Sequence, residues 1–312
     1  MGPLFHPEDP RPMRLLLIFA CALIAGPALA QTRLDETPRT AIISAFGPEL
    51  TALEAATTGK RTVTADGTAF TTGVLDGKPV VLFLSGQSMV NAAMTAQLAL
   101  DRFNVSRIVF SGIAGGVDPG LDVGDVVVAD RWSQYLESAV GRQVAPGRYE
   151  APAGESMGDN LAPFGMMFPR PVQVSPTPGV VERKPWFDTD PAMMATARAV
   201  SGSVALKRCV AELCLKQNPR VVVGGNGVSG QAFVDNAELR AWTFATFHAQ
   251  VLDMESAAVA QVAYVNRTPF IAFRSLSDLA GGDPGDNQAR VFFQLASDNA
   301  ALVVRAFVDA LP

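Results

Sequence analysis

Two carboxylates stand where apolar runs end in the segment Val251–Asp283. Glu255 closely follows the short run Val251-Leu252, and Asp278 follows the run Phe270–Phe273. In open α/β sheets, ligands bind at the carboxyl ends of the strands, so acidic side chains at both places are positioned for chemistry rather than for solubility. A carboxyl group can donate or accept a proton, and a carboxylate can accept two hydroxyl hydrogen bonds at once. The pattern therefore predicts a carboxylate-based site at this edge of a sheet.

Four short blocks occur in an order that is typical of one family. They are the strand and turn Ile42–Leu50, the glycine stretch Phe110–Gly116 with the strand Val123–Val127 after it, the pair Met254-Glu255 before a small-residue helix, and the pair Ser277-Asp278 after the next strand. On these blocks the chain resembles the purine nucleoside phosphorylase and methylthioadenosine/S-adenosylhomocysteine nucleosidase superfamily. It is closest in style to the nucleosidase and plant bark-storage-like branch.

The resemblance implies both a fold and an activity. The expected fold is a three-layer α/β/α arrangement around a central mixed, mainly parallel sheet. The expected activity is hydrolysis of the N-glycosidic bond of 5′-methylthioadenosine, S-adenosylhomocysteine or a related purine nucleoside, without a cofactor. Two alternatives stay open, namely a phosphate-dependent purine nucleoside phosphorylase and a nucleoside-binding or storage-like protein without turnover.

The resemblance also assigns a role to each of three carboxylates. Asp278 is the expected general acid that protonates N7 of the purine, with Ser277 orienting it by a hydrogen bond. Glu49 is the expected base that activates water, and Glu255 is expected to bind the sugar hydroxyls. A plainer interpretation stays open for two of them, because Asp278 could cap a helix and Glu49 could supply a favourable negative charge in a first helical turn.

Further positions match the substrate-binding residues of the family. Met254 is expected to pack on the sugar, Phe233 to stack on the purine, and the backbone of Val234 to contact the edge of the base. Met254 and Phe233 could instead fill the core. The substrate is also expected to contact the glycine stretch at Ile113, Ala114 and Gly115.

The choice between water and phosphate as nucleophile depends on cationic and hydroxyl groups that could hold an anion. Phe110 and Ile113 fill places where phosphorylases carry phosphate ligands, and Arg107 lies one residue too far back. Glu49 stands near the place of an early Gly-Asp-Pro-x-Arg pattern that many phosphorylases have; a glutamate would repel phosphate but could activate water. These differences favour hydrolysis, although Ile113 also departs from the serine that nucleosidases usually carry.

The rest of the pattern predicts the elements that position these residues. Apolar runs alternate with stretches of helical spacing, which predicts mainly parallel strands with helices outside them. The expected strands are Ala41–Ala45, Val80–Leu84, Arg107–Phe110 and Arg220–Val223, and a hairpin is expected within Val63–Leu75. One helix is expected to start at Pro48. Three more are expected at Asn91–Arg102, Pro191–Leu215 and Arg290–Leu311.

Residues 133–190 break this alternation, because they are rich in proline, glycine and aromatic residues. The nucleosidases of the family have a much shorter connection here, so we interpret the stretch as an insertion. A long loop without regular structure usually serves function or an interface, and a surface excursion that fills space is the alternative.

Cys209 and Cys214 could form a disulfide in an oxidising compartment. An unbroken helix would hold side chains five residues apart too far from each other for a bond. A disulfide therefore requires a bend or a helix end near Glu212–Cys214. Two unpaired thiols are the alternative.

The first residues, 1–30, have the features of a secretory signal peptide. A basic flank precedes the apolar stretch Leu15–Ala25, and Ala28-Leu29-Ala30 forms a typical cleavage site. Met13 is the expected start, and a lipoprotein anchor at Cys21 is the competing interpretation. The mature protein is expected to be periplasmic or secreted, without membrane contact.

Composition narrows the remaining classes of function. A chain of 312 residues with 48% hydrophobic content can form one large core, so residues 31–312 are expected to be a single domain. The net charge of −5 argues against nucleic acid as a partner. One histidine and two cysteines after the signal peptide make a metal site on these residues improbable. By resemblance, a homo-oligomer is expected, with a dimer favoured.

Overall fold

The computed structural model describes residues 33–155 and 161–312. The predicted signal peptide, with Met13 and Cys21, lies outside the described residues. Residues 33–312 form one compact unit.

Six helices are present in the described ranges: α1 (Gly47–Ala56), α2 (Met89–Arg102), α3 (Pro191–Ser201), α4 (Ala237–Phe247), α5 (Ser256–Val265) and α6 (Ala289–Asp309). The strands of the same ranges are β1 (Asp35–Ser44), β2 (Thr58–Ala65), β3 (Thr68–Leu75), β4 (Lys78–Leu84), β5 (Phe103–Gly116), β6 (Val126–Val128), β7 (Arg131–Gln134), β8 (Ser138–Val140), β9 (Arg142–Ala145), β10 (Arg148–Glu150), β11 (Met167–Pro169), β12 (Val172–Thr177), β13 (Val180–Lys184), β14 (Phe187–Asp188), β15 (Cys209–Val210), β16 (Leu213–Cys214), β17 (Val221–Val223), β18 (Asn226–Ser229), β19 (Ala249–Asp253) and β20 (Phe270–Asp278).

The central sheet is mixed, and its middle is parallel. The order along its main path is β14-β7-β18-β19-β5-β1-β4-β3-β2, and β20 pairs with β5 off this path. Strand β5 runs parallel to both β1 and β20, whereas β2, β3 and β4 form an antiparallel edge. This sheet confirms the predicted fold class.

Both faces of the sheet are apolar, which explains why helices cover both. Successive side chains of a strand point to opposite faces, and in β5 Ile108 and Phe110 join one buried cluster while Val109 joins the other. Helices α2 and α5 bury small residues in the first cluster, and α1, α3 and α6 contribute to the second. Helix α6 is long and apolar enough to cross a membrane by length and composition alone, but more than half of it is buried inside the fold.

Strand register brings the predicted site residues together at Gly115. Gly115 of β5 pairs with Asp278 at the end of β20 and also with Leu252 near the end of β19. Glu255 lies two residues beyond the end of β19, so Glu255 and Asp278 reach the same corner of the sheet. The glycine stretch Phe110–Gly116 is the last part of β5, and both neighbouring strands pair with it.

The predicted helix Pro191–Leu215 is wrong over its second half. Helix α3 ends at Ser201, and Cys209 and Cys214 lie opposite each other on the hairpin β15–β16. Their sulfurs are bonded at 2.01 Å. The helical spacing therefore stops early, and the hairpin supplies the bend that the disulfide requires.

The insertion at residues 133–190 has more regular structure than expected. Its described part contains the antiparallel pairs β8–β11, β9–β10 and β12–β13, and β14 adds an edge to the central sheet beside β7. Short strands separated by proline and glycine carry too little alternation to be recognised from sequence.

Candidate active site

A cavity of about 370 Å³ opens at the corner where β1, β5, β19 and β20 end. Its lining contains every residue predicted to act on or contact the substrate: Glu49, Ile113, Ala114, Gly115, Phe233, Val234, Met254, Glu255, Ser277 and Asp278. Their individual roles stay predictions, but the structure places all of them around one space.

Glu49 is held by backbone N–H groups from two elements. Its Oε2 accepts hydrogen bonds from the N–H groups of Ala45 and Phe46 at 2.7 and 3.3 Å, and its Oε1 accepts one from the Ile113 N–H at 2.8 Å. Burial raises the pKa of Glu49 to about 7, although the Arg274 guanidinium and the Ile113 N–H act in the opposite direction. This carboxyl can therefore exchange a proton near neutral pH, even though it also lies in the first turn of α1.

A fully buried arginine links three carboxylates. Arg274 of β20 places Nε 2.6 Å from Oδ2 of Asp253, Nη2 3.4 Å from Oε2 of Glu255 and Nη1 3.9 Å from Oε1 of Glu49. Its guanidinium carbon also lies 4.1 Å from the centroid of the Phe110 ring. Buried charges of one sign need such a counter-charge, so Arg274 holds the acidic cluster together.

Glu255 is fixed from both sides. The Ser88 N–H donates to its Oε1 at 2.8 Å, and Arg274 donates to its Oε2 at 3.4 Å. The backbone of Ser88 has a φ of +79°, which is rare for residues other than glycine. Strained backbone conformations of this kind cluster at functional sites. Burial raises the pKa of Glu255, and Arg274 opposes that rise.

Asp278 accepts hydrogen bonds at both oxygens. The Ser277 hydroxyl donates to Oδ2 at 2.8 Å, the Ala280 N–H donates to Oδ1 at 2.8 Å, and the Asn287 amide lies 3.4 Å from the same oxygen. Burial raises the pKa of Asp278, so its proton is retained to a higher pH than that of an exposed aspartate. The bond to Ala280 closes a local turn after β20, which replaces the helix-capping interpretation.

Phe233 lies at the mouth of the cavity and is 64% exposed, so it does not fill the core. Val234 beside it is buried. The exposed ring is available to a flat ligand, whereas its neighbour anchors the segment to the fold.

Several residues of the site were not predicted. The sequence does point to Arg274, because a charged residue stands in the middle of a mostly apolar strand and would need a buried partner. Asp253 forms an ion pair with Arg274 and accepts hydrogen bonds from the hydroxyls of Ser229 and Ser256. Four larger side chains of the lining also showed no pattern in the sequence: Phe46, Gln87, Arg290 and Phe293.

Comparison with known proteins agrees with this geometry. A family profile described as the phosphorylase superfamily matches residues 39–309. The chain belongs to the phosphorylase superfamily. Within that superfamily it is similar to the 5′-methylthioadenosine/S-adenosylhomocysteine nucleosidase of Mycobacterium bovis, with 30% identity over 76% of this chain and 84% of the relative. The nucleosidase of the same name from Marinomonas sp. is 28% identical over 85% of this chain and 95% of its own.

Solved structures of the superfamily place it in the same branch. The nucleosidase from Neisseria meningitidis in complex with methylthio-immucillin-A aligns with a TM-score of 0.65 at 25% identity, covering 88% of this chain and 100% of the other. The Colwellia psychrerythraea nucleosidase in complex with adenine aligns with a TM-score of 0.65 at 27% identity, covering 88% and 96%. The predicted superfamily and its nucleosidase branch are confirmed.

Proposed function

We propose that the protein hydrolyses the N-glycosidic bond between a purine and its ribose. Its relatives are named for 5′-methylthioadenosine and S-adenosylhomocysteine, so these nucleosides are the first candidate substrates. The observation that carries the proposal is the meeting of Glu49, Glu255 and Asp278, all buried, around one cavity.

The proposed reaction needs one proton donor and one proton acceptor. As the bond to N9 of the purine breaks, positive charge builds on the sugar, as in glycoside hydrolysis. Asp278 donates its proton to N7, so the base departs as a neutral molecule with the bonding electrons. Glu49 accepts a proton from the water whose oxygen bonds to C1′. Exchange with solvent then returns both carboxyl groups to their starting states.

Glu255 and its neighbours suit the sugar. A carboxylate can accept hydrogen bonds from two vicinal hydroxyls, and such bonds strengthen as the ring gains positive charge. The Ser88 N–H and Arg274 hold Glu255 in one orientation. Met254 offers the sugar an apolar surface, and the exposed Phe233 ring can stack on the purine.

Water suits this cavity better than phosphate does. Carboxylates of Glu49 and Glu255 would repel a phosphate dianion beside C1′. Ile113 presents an apolar side chain, and its N–H already binds Glu49. Arg107 does not line the cavity.

The test is adenine release from 5′-methylthioadenosine with and without phosphate, with the sugar product identified. We expect equal rates and free methylthioribose. Strict phosphate dependence, with a sugar 1-phosphate as product, would instead identify a phosphorylase.

Glu49→Gln and Asp278→Asn should each lower kcat by at least about 100-fold. Arg305→Gln, on the surface at the far end of α6, should change kcat by less than about twofold. Binding without turnover by the unaltered protein would favour the storage-like alternative.

We propose further that the mature protein is exported. The hydrophobic N-terminal stretch supports this, and so does the Cys209–Cys214 disulfide, because disulfides persist in oxidising compartments. N-terminal sequencing of protein from the periplasmic fraction should begin near Gln31. A cytoplasmic protein with an intact N-terminus would contradict export.

We also propose a homodimer. Val90 and Met94 on α2 are 65% and 63% exposed, next to the loop that brings Gln87 to the cavity. Adjacent exposed apolar side chains are typical of an interface.

A further inference from the structure

The cavity has one cationic side chain among its described lining residues. That residue is Arg290, in the first turn of α6. Glu49, Glu255 and Asp253 all lie within 4 Å of Arg274, which stays behind the wall and does not line the cavity. Among the described residues, Arg290 forms no ion pair with this buried cluster.

Arg290 also has no partner of its own. Its side chain is exposed, and within residues 33–155 and 161–312 it makes no hydrogen bond, ion pair or ring contact. The arginines of the same region that do have partners illustrate the contrast, since Arg240 donates to the carbonyl of Gly116 and Arg305 pairs with Asp76. An unpaired guanidinium at a cavity is able to bind a ligand, with a planar set of N–H donors that fits a carboxylate or a phosphate.

The wall around Arg290 indicates which part of a substrate would meet it. Phe293, one turn along α6, contacts Phe46 with ring centroids 5.0 Å apart, and Phe46 precedes the helix that carries Glu49. In the proposed function, Asp278 and Phe233 take the base and Glu255 takes the ribose hydroxyls. The wall of Phe46, Phe293 and Arg290 is then left for the substituent at the 5′ carbon.

We propose that Arg290 selects purine nucleosides whose 5′ substituent carries an anionic group. The inference rests on the proposed function, because that function orients the nucleoside. The two phenylalanines suit an apolar arm of a few carbon or sulfur atoms, and the guanidinium at the rim suits the carboxylate or phosphate at its end. Selectivity would follow from charge, since the many carboxylates of this cavity would otherwise disfavour any anionic ligand.

The test uses probes that differ only in charge or in the kind of anion. The first pair is 5′-S-(2-carboxyethyl)-5′-thioadenosine and its carboxamide, and the second is adenosine 5′-monophosphate and adenosine. For one of the two pairs, we expect the unaltered protein to cleave the anionic probe with a kcat/KM about tenfold higher than that of its uncharged partner. The pair that shows this preference tells whether the preferred anion is a carboxylate or a phosphate. Arg290→Gln should remove that preference through KM and leave the uncharged probes within about twofold. Arg290→Lys should retain part of the preference for the anionic probe, and the control variant Arg305→Gln should retain all of it.

Binding separates failure of this inference from failure of the proposed function. Calorimetric affinities of the same probes for Asp278→Asn, with and without Arg290→Gln, do not depend on turnover. If no nucleoside is cleaved, the hydrolase proposal fails, and a charge-selective affinity that Arg290→Gln abolishes would still support the role of Arg290. If nucleosides are cleaved without preference for the anion, or Arg290→Gln weakens both members of a pair equally, the inference is wrong and the hydrolase stands. Arg290→Gln could instead change only how the reaction responds to added inorganic phosphate. Arg290 would then bind that ion rather than the 5′ substituent, and the inference would be wrong.

Discussion

Glu49 and Asp278 carry the same functional group but have opposite tasks in the proposed reaction. Burial raises the pKa of both. Charges and hydrogen bonds oppose that rise in pKa at both groups: the Arg274 guanidinium and the Ile113 N–H at Glu49, and the Ala280 N–H and the Ser277 hydroxyl at Asp278. The proposed reaction uses the state in which Asp278 carries a proton and Glu49 does not.

The proposed roles predict the pH dependence. Glu49 works only when ionised, and its pKa is raised to about 7. We expect kcat/KM for 5′-methylthioadenosine to follow a bell-shaped curve, which rises as Glu49 ionises and falls as Asp278 loses its proton. Any residual activity of Glu49→Gln should lack the acidic limb. A rate that is constant from about pH 5 to about pH 8 would contradict the role of Glu49.

Arg274 should matter to stability as well as to the site. Replacing it with methionine leaves three buried carboxylates without a counter-charge, so we expect the free energy of unfolding to fall by about 3–5 kcal/mol. The loss should be smaller at acidic pH, because Glu49 and Glu255, whose pKa values burial raises, then bind protons instead. Urea unfolding at two pH values measures both effects.

A surface arginine provides the control for Arg274. Arg305 pairs with Asp76 at 2.6 Å but is 45% exposed. Its replacement by glutamine should cost no more than about 1 kcal/mol. Equal losses for the two variants would mean that Arg274 does not balance a buried charge.

At the scale of elements, the end of β5 determines how closely the acidic cluster can approach the sheet. A Cβ atom on Gly112 would lie 2.3 Å from Nη1 of Arg274 and 2.6 Å from Oε1 of Glu49. Both atoms are held by hydrogen bonds or ion pairs, so neither can move without disturbing the site.

The contact predicts the effect of one methyl group. Gly112→Ala should displace Glu49 and lower kcat on the order of 100-fold, with the circular dichroism spectrum unchanged. Gly47→Ala is the matched change, because a Cβ there meets nothing within 4 Å. It should leave kcat within about twofold. Similar kinetics of the two variants would contradict the steric argument.

At the scale of the whole molecule, the exposed apolar residues Val90 and Met94 of α2 are the proposed dimer contact. Met94→Glu places a charge among exposed apolar side chains, and we expect it to convert the proposed dimer to a monomer in sedimentation analysis. Leu213→Glu, a similar change at an exposed position of the β15–β16 hairpin, should leave the mass unchanged. If the unaltered protein sediments as a monomer, the proposed homodimer is wrong.

The sequence determined the family, the order of the acidic residues and their places after strands, because apolar runs ending in polar residues are local patterns. Periodicity likewise located α2 and α6 closely. The hairpin at Cys209 and Cys214 was not recognised, because its strands are only two residues long each and the helical spacing masked the end of α3 before Gly202. Only the tertiary structure decided that Arg274 meets three carboxylates and that Arg290 lines the cavity without a partner among residues 33–155 and 161–312. Burial and charge pairing arise between residues distant in the chain, and they set the pKa values on which the proposed chemistry depends.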